Sequence, residues 1–311
     1  MKASLHLRSP DDRPCPGCGG LHVESFADER IDESRINDFT YASRKNPEFM
    51  CLRLVRCLNC DLVFAPRPPR QSFLAQAYSD AAYDSGPEAT AAAASYAQAL
   101  SSRLAGVDRQ GAAVDIGAGS GPLLPHLRRF GFGDVLGIEP SRAAIDAAAP
   151  AVRPLLLEGM FDPEVLRDRR ISLLCSFMTL EHIDDPGRFA RDAHALLQPG
   201  GMLAVVVHDW RAPLNRLLGL RSPIIDVEHL QLFSKHAIAA MLDSAGFERI
   251  AVSPIQNAYP LRYWVRLTPL PEGPKRALVR VLERIGLADR MIPLRVGNIM
   301  ATAYKPAGRS P

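Results

Sequence analysis

A mainly parallel α/β sheet covered by helices on both faces, preceded by a small metal-clipped module, is the fold class that this chain of 311 residues predicts. Three observations predict it. From about residue 112 to residue 207, short apolar runs alternate with amphipathic segments, the register of strands buried on both faces and joined by crossover helices. The segment from Ala113 to Gly121 ends one such run in an acid and continues as a loop with glycine at alternate positions. Ahead of it, four of the six cysteines stand as two C-x-x-C pairs, Cys15/Cys18 and Cys57/Cys60.

An apolar content of 47% with 23% charged residues allows one sizeable core and a small appendage. The formal net charge of +3 is far below the basic field of a dedicated nucleic-acid binder, so no nucleic-acid partner is expected. Residues 1–14 carry Lys2, Arg8, Asp11, Asp12 and Arg13 and no continuous apolar stretch, which argues against a secretory or membrane-spanning segment there. Cytoplasmic residence is the expectation, and paired cysteines in that compartment favour metal over disulfides.

Residues 1–66 read as the metal-binding module, with strands at 52–55 and 62–64. Three prolines within 65–70 make an extended spacer. Residues 67–105 are an alanine-rich helical lead-in, broken at Ser85-Gly86-Pro87, and residues 106–311 form the main domain. Its strands are expected at 112–116, 135–138, 154–157, 171–176 and 202–207, and its helices at 122–130, 142–149 and 187–197. Ser141 can cap one helix, and Pro199-Gly200-Gly201 ends another. Ser234 can cap a helix that stops at Gly246, followed by a strand at 247–252, a helix near 275–285 and a final strand at 298–304.

The loop after the first of these strands has a direct physical reading. Gly117 and Gly119 permit backbone angles and close approach that a Cβ blocks, so a flat or charged part of a ligand can rest against the main chain. Asp115 can then orient a cationic amino group, and Glu139, closing the next strand, can accept both hydroxyls of a ribose. A dinucleotide loop wants G-x-G-x-x-G, but Pro122 stands where its last glycine belongs, and a phosphate-binding loop lacks its Gly-Lys-Ser/Thr.

Val-Asp-Ile-Gly-Ala-Gly-Ser-Gly121, with Gly-Ile-Glu-Pro140, Leu-Glu-His182 and Leu-Gln-Pro-Gly-Gly201, resembles the class I S-adenosylmethionine-dependent methyltransferases over roughly residues 90 to 305. The resemblance implies a Rossmann-like seven-stranded sheet with one antiparallel strand. It implies that the Asp115 loop holds the methionine part of S-adenosylmethionine and Glu139 its ribose. By the same resemblance Pro140, Met160 and Phe161 flank the adenine, and the backbone near Phe177 meets the amino group.

Methyl transfer to a hydroxyl or amine needs a base near neutral pKa, and His182, His208, Asp209 and His229 stand near the expected strand ends. His182 and His229 are the candidate catalytic residues. The run His229 to Ser234 followed by Met241 to Phe247 resembles members found in sugar or polysaccharide pathways. The acceptor expected is therefore a small molecule, such as a sugar, glycan or secondary-metabolite precursor. An RNA methyltransferase and a non-catalytic zinc-scaffolded interaction protein are the alternatives; the weak net charge speaks against the first and the intact cofactor motif against the second.

Cys15-Pro-Gly-Cys18 and Cys57-Leu-Asn-Cys60 each predict a knuckle, and four thiolates close a tetrahedral Zn2+ shell with no position left for water. A zinc module ahead of such a domain is similar to a bacterial subgroup that includes sugar C-methyltransferases, although this chain lacks their large C-terminal extension. Lys275 to Arg284 carries an apolar stripe beside basic residues, which admits two readings: a domain helix with snorkelling arginines, or peripheral contact with an anionic membrane or a phosphorylated substrate. The oligomeric state is not set by the sequence.

Overall fold

A computed structural model of the chain describes residues 6–7, 12–37, 39–41, 48–83, 86–268 and 270–307. The N-terminal part contributes β1 (His6–Leu7), β2 (His22–Ala27), β3 (Leu54–Cys57) and β4 (Val63–Phe64), followed by helices α1 (Gln71–Ser79) and α2 (Gly86–Ser101). Alternating elements come next: β5 (Ala112–Ile116), α3 (Leu124–Arg129), β6 (Val135–Glu139), α4 (Arg142–Asp146), β7 (Leu156–Glu158), β8 (Ile171–Phe177), α5 (Pro186–Leu196) and β9 (Leu197–His208). The remainder comprises α6 (Pro213–Leu218), β10 (Gln231–Leu232), α7 (Lys235–Ser244), β11 (Glu248–Pro254), β12 (Asn257–Pro260), α8 (Leu261–Arg266), α9 (Glu272–Arg284), β13 (Met291–Leu294) and β14 (Asn298–Tyr304).

The seven-stranded sheet has the order β11-β14-β9-β8-β5-β6-β7. Strands β9, β8, β5, β6 and β7 are parallel, while β14 runs antiparallel to both β9 and β11, giving the single reversed strand expected. Helices cover both faces, so β8 buries Ile171, Leu173, Leu174 and Cys175 regardless of the pleat. Each such side chain adds roughly 1.5–3 kcal/mol of burial. Asp185 caps α5 by accepting the Arg188 N–H, with Pro186 in the first turn, where a missing N–H costs nothing. Ser234 caps α7 through the Ala237 N–H, Gly246 follows it at φ 91°, and Ile238, Met241 and Leu242 face inward. Ser234→Ala is expected to cost ~1 kcal/mol.

The five-stranded antiparallel sheet β1-β2-β3-β4-β10 takes its last strand from residues 231–232. It shares a core with one face of the large sheet: Cys15, Cys57, Cys60 and Phe64 belong to the same buried cluster as Ile116, Phe189 and Phe233. On the other face α2, α3 and α8 enclose Tyr96, Leu124 and Trp264.

Several elements differ from the sequence expectation. Strand β9 begins at Leu197 rather than 202, because Gly200 at φ 77° lets residues 198–201 loop out without ending the strand. Helix α6 and the ribbon of β12 with β13 had no clear periodic signal. Helix α9 buries only Leu282 and leaves its apolar stripe exposed.

Candidate active site and four-cysteine centre

A cavity of about 1110 Å³ opens at the carboxyl ends of β5, β6, β8 and β9. Ligands of open parallel sheets sit at this edge, because the loops there diverge and leave a crevice. Asp115, Gly117, Gly119, Glu139, Pro140, Met160, Phe161 and Phe177 all line the cavity, as do His182 and His229. One space therefore gathers every residue proposed from sequence for the cofactor and for catalysis. The four cysteines lie apart from it.

The two acids define one end. Glu139 accepts the Gly119 N–H at 2.7 Å through Oε2 and the Ser141 N–H at 2.8 Å through Oε1. Burial raises its pKa while those two amides pull it back. Burial, and then the neighbouring charge of Glu139, push the Asp115 carboxyl up to about 8. Arg188 is the sole guanidinium or ammonium group among the described lining residues, and it pairs with Asp192. Two buried carboxyl groups without a resident cation form a site suited to a positively charged ligand, whose charge would favour their ionised form.

The glycines differ in purpose. A Cβ on Gly117 would stand 2.3 Å from Thr179 Oγ1, so that glycine lets the loop after β8 close against the loop after β5. A Cβ on Gly119 would meet no protein atom within 4 Å, so its φ of 55° leaves a bare stretch of main chain facing the cavity. Met178, at φ 56° directly after β8, also lines the cavity and had no signal in sequence, since nothing marks a methionine for the left-handed region. Phe161 packs edge-on against Phe189 with ring centroids 5.0 Å apart, while Met160 stays exposed at the rim.

Histidines define the opposite wall. His182 follows β8, His229 precedes β10, and His208 ends β9; the centroid separations are 5.0 Å between His182 and His229 and 5.5 Å between His208 and His229. Each ring uses Nδ1 against an oxygen: His182 toward Glu228 O at 3.2 Å, His229 toward Ile224 O at 2.8 Å and His208 toward Asn298 Oδ1 at 2.9 Å. A carbonyl oxygen only accepts, so each Nδ1 is the donor there, and Nε2 is the nitrogen that carries the lone pair whenever the ring is neutral. Glu181, fully buried and pushed up to about 7 by burial, accepts the His208 backbone N–H at 2.7 Å. Tyr78 meets His182 edge-on, and Tyr96, Tyr259 and Trp264 add an aromatic wall that sequence reasoning assigned only to helices or left unplaced.

The four cysteines converge. Their sulfurs all lie within 4.8 Å of one another, with Cys15 Sγ 3.5 Å from Cys60 Sγ and Cys18 Sγ 3.6 Å from Cys57 Sγ. Both knuckles close alike: Gly19 at φ 71° follows Cys18, and Asp61 at φ 70° follows Cys60. Hydrogen bonds from Cys15 and Cys60 lower the Cys57 pKa, while sharing protons raises those two partners. The donor set is that of a tetrahedral S4 site.

This centre is tied to the loops of the cavity. Arg13 Nη1 donates to Asp184 O and Oδ1, and the Gly187 N–H donates to Pro16 O at 3.1 Å, which fixes the segment after His182. Trp210 Nε1 donates to Asp61 O at 3.2 Å and Arg211 pairs with the Asp61 carboxylate, which fixes the segment after His208.

A mostly parallel sheet with one reversed strand, carrying a bare glycine loop and acids at adjacent strand ends, is an α/β domain of the methyltransferase type. The family described as "Methyltransferase domain" matches residues 90–252, and the chain belongs to it. The protein is similar to the ubiquinone biosynthesis O-methyltransferase of Caulobacter vibrioides, 33% identical over 130 residues that cover 37% of this chain and 49% of that protein. It is also similar to the protein of the same name from Nitrobacter winogradskyi, 32% identical over 105 residues that cover 32% of this chain and 40% of that one. The chain thus spans about half or less of the length of these curated relatives. A solved structure of a putative methyltransferase from Bacillus halodurans aligns over 67% of this chain and 98% of its own, with 18% identity and a TM-score of 0.48.

Proposed function

We propose that the protein transfers a methyl group from S-adenosylmethionine to a small-molecule acceptor held against the histidine wall, and that its four cysteines hold a structural Zn2+. One observation carries the reading: Asp115 and Glu139 are buried at adjacent strand ends beside the open main chain of Gly119, within a cavity also lined by the imidazole rings of His182, His208 and His229. When bound, S-adenosylmethionine supplies an electrophilic methyl group on a sulfonium. Asp115 receives the ammonium, and Glu139 turns from the Gly119 and Ser141 amides to the ribose hydroxyls or accepts both sets together. Pro140, Met160 and Phe161 flank the flat base, and the Phe177 backbone lies beside the methionine part.

On the acceptor side His229 or His182 takes the proton from the attacking group through Nε2, and the other aligns it. The names of the curated relatives support an oxygen on a small organic acceptor. The polar, histidine-rich wall also suits the hydroxyls of a sugar, glycan or secondary-metabolite precursor. Four cysteines whose sulfurs lie within 4.8 Å of one another support zinc, because four thiolates this close coexist only around a cation. Calorimetry with S-adenosylmethionine and its demethylated product tests the reading: wild-type protein binds both, and Asp115→Asn weakens both. Absence of binding to the wild type refutes it.

A further inference from the structure

The chain's small net charge conceals a strong asymmetry. Residues 211–221 and 261–296 hold 11 of the 37 basic residues and 3 of the 34 acidic ones, a net +8, so the rest of the chain is net −5 against a total of +3. In the fold these segments meet. A Cβ on Gly297, directly after the second segment, would stand 2.5 Å from the Asn215 side chain in α6. They form one side of the cavity mouth: Leu214 and Leu294 both line the cavity and are exposed to solvent.

The same segments expose large apolar side chains. Leu217 is 82% exposed, Ile285 59%, Val281 50% and Met291 48%. Helix α9 explains part of this. Leu282 faces Val265 and Ala288, whereas Val281 and Ile285 share a neighbouring flank that packs on nothing within the core. Arg276, Arg280 and Arg284 stand exposed on the same helix, and none of the three forms an ion pair among the described residues. Elsewhere in the patch Arg211, Arg262 and Arg266 are paired with acids, while the exposed Arg216, Arg221, Arg290 and Arg295 form no ion pair among the described residues and add to the charge of α9.

We propose that this face docks the protein on an anionic lipid bilayer, with the cavity mouth beside the headgroup layer. A bilayer satisfies both halves of the surface at once: the apolar side chains enter the acyl boundary while the long arginines reach back to anionic headgroups. Nucleic acid would engage the arginines and leave the leucines, isoleucine and valine in water. Docking brings Leu214 and Leu294 to the lipid boundary, so an acceptor with an apolar tail enters the cavity from there; this last clause rests on the proposed methyl transfer.

Sedimentation of the full chain with vesicles tests the proposal. Binding to phosphatidylcholine vesicles containing about one third phosphatidylglycerol should exceed binding to pure phosphatidylcholine by ~10-fold or more, and fall as salt rises. Val281→Ser with Ile285→Ser, and separately Arg276→Glu with Arg280→Glu, should each weaken it by ~10-fold while thermal unfolding stays unchanged. Wild-type protein that remains in the supernatant, or variants that bind as well as wild type, overturn the proposal. So does single-stranded RNA binding that the charge variant abolishes, with no vesicle binding. S-adenosylmethionine calorimetry on the same samples separates the two readings: loss of donor binding with intact vesicle binding sinks methyl transfer and leaves docking in place.

Discussion

The two ends of the cavity are built in opposite ways. The acid end comes from one compact stretch, in which Asp115 and Glu139 stand at the ends of consecutive strands and Glu139 bonds Gly119 in the very loop that Asp115 introduces. The histidine end is assembled from distant segments, since His182 reaches Glu228 across 46 residues and His208 reaches Asn298 across 90. A local end survives damage elsewhere in the molecule, whereas an assembled end depends on whatever holds its segments together. Here the four-cysteine centre supplies that hold, through Asp184, Gly187, Trp210 and Arg211.

The largest expected effect breaks the assembled end alone. Zinc at a thiolate site of this kind contributes on the order of 10 kcal/mol, comparable to the stability of a whole domain. Chelation or Cys57→Ser should therefore abolish turnover and melt the five-stranded sheet, with one equivalent of zinc found by metal analysis in wild type and none in the variant. Donor affinity measured at a temperature where the main sheet persists should change little; an equal loss at both ends would contradict the contrast drawn above. Next in size, His229→Ala or His182→Ala should lower kcat by about 10²–10⁴-fold for the residue that acts as base, with donor Kd unchanged.

At the acid end, Glu139→Ala should weaken donor binding by ~10- to 100-fold, the loss of about 1.5–3 kcal/mol from charge-assisted hydrogen bonds. The pH dependence sharpens this. Asp115, raised to about 8, is protonated in the empty site near neutrality and must lose that proton to receive a cation. Donor affinity should thus rise up to about tenfold per unit between roughly pH 6 and pH 8 and level off above, a slope that Asp115→Asn removes.

The smallest effect concerns Glu181, which joins the histidine end to β9. Its folded pKa of about 7 lies above the ordinary carboxyl value, so the folded state holds the extra proton and stability falls as pH rises from about 4.5 to 7. Glu181→Gln keeps an acceptor for the His208 amide without the charge, and its melting temperature should overtake that of wild type across this window.

The acid end was legible in sequence because its chemistry is sequential: a strand-ending aspartate, spaced glycines and a second strand-ending acid need no distant partner to be recognised. The convergence of the cysteines was legible for the same reason, through two matched knuckles. His182 could be placed after a strand, but nothing in the residues around it says that Glu228 and His229 fold back over it. The aromatic wall stayed hidden because Tyr96 in an alanine-rich helix, and Tyr259 and Trp264 in short elements, carry no signal beyond apolar character. The stripe on α9 has helical period whether its flank meets a core or solvent, so only tertiary packing decides its use.

Pairing of Gln231 and Leu232 with Phe64 and Val63 also sets a clock for synthesis. The partner strand leaves the ribosome 167 residues after Phe64, roughly 10–30 s later at ~5–20 residues per second. Throughout that interval the outer edge of β4 offers unpaired amides and carbonyls to any neighbouring nascent chain. Premature association is a hazard of the growing polypeptide that the finished protein has closed.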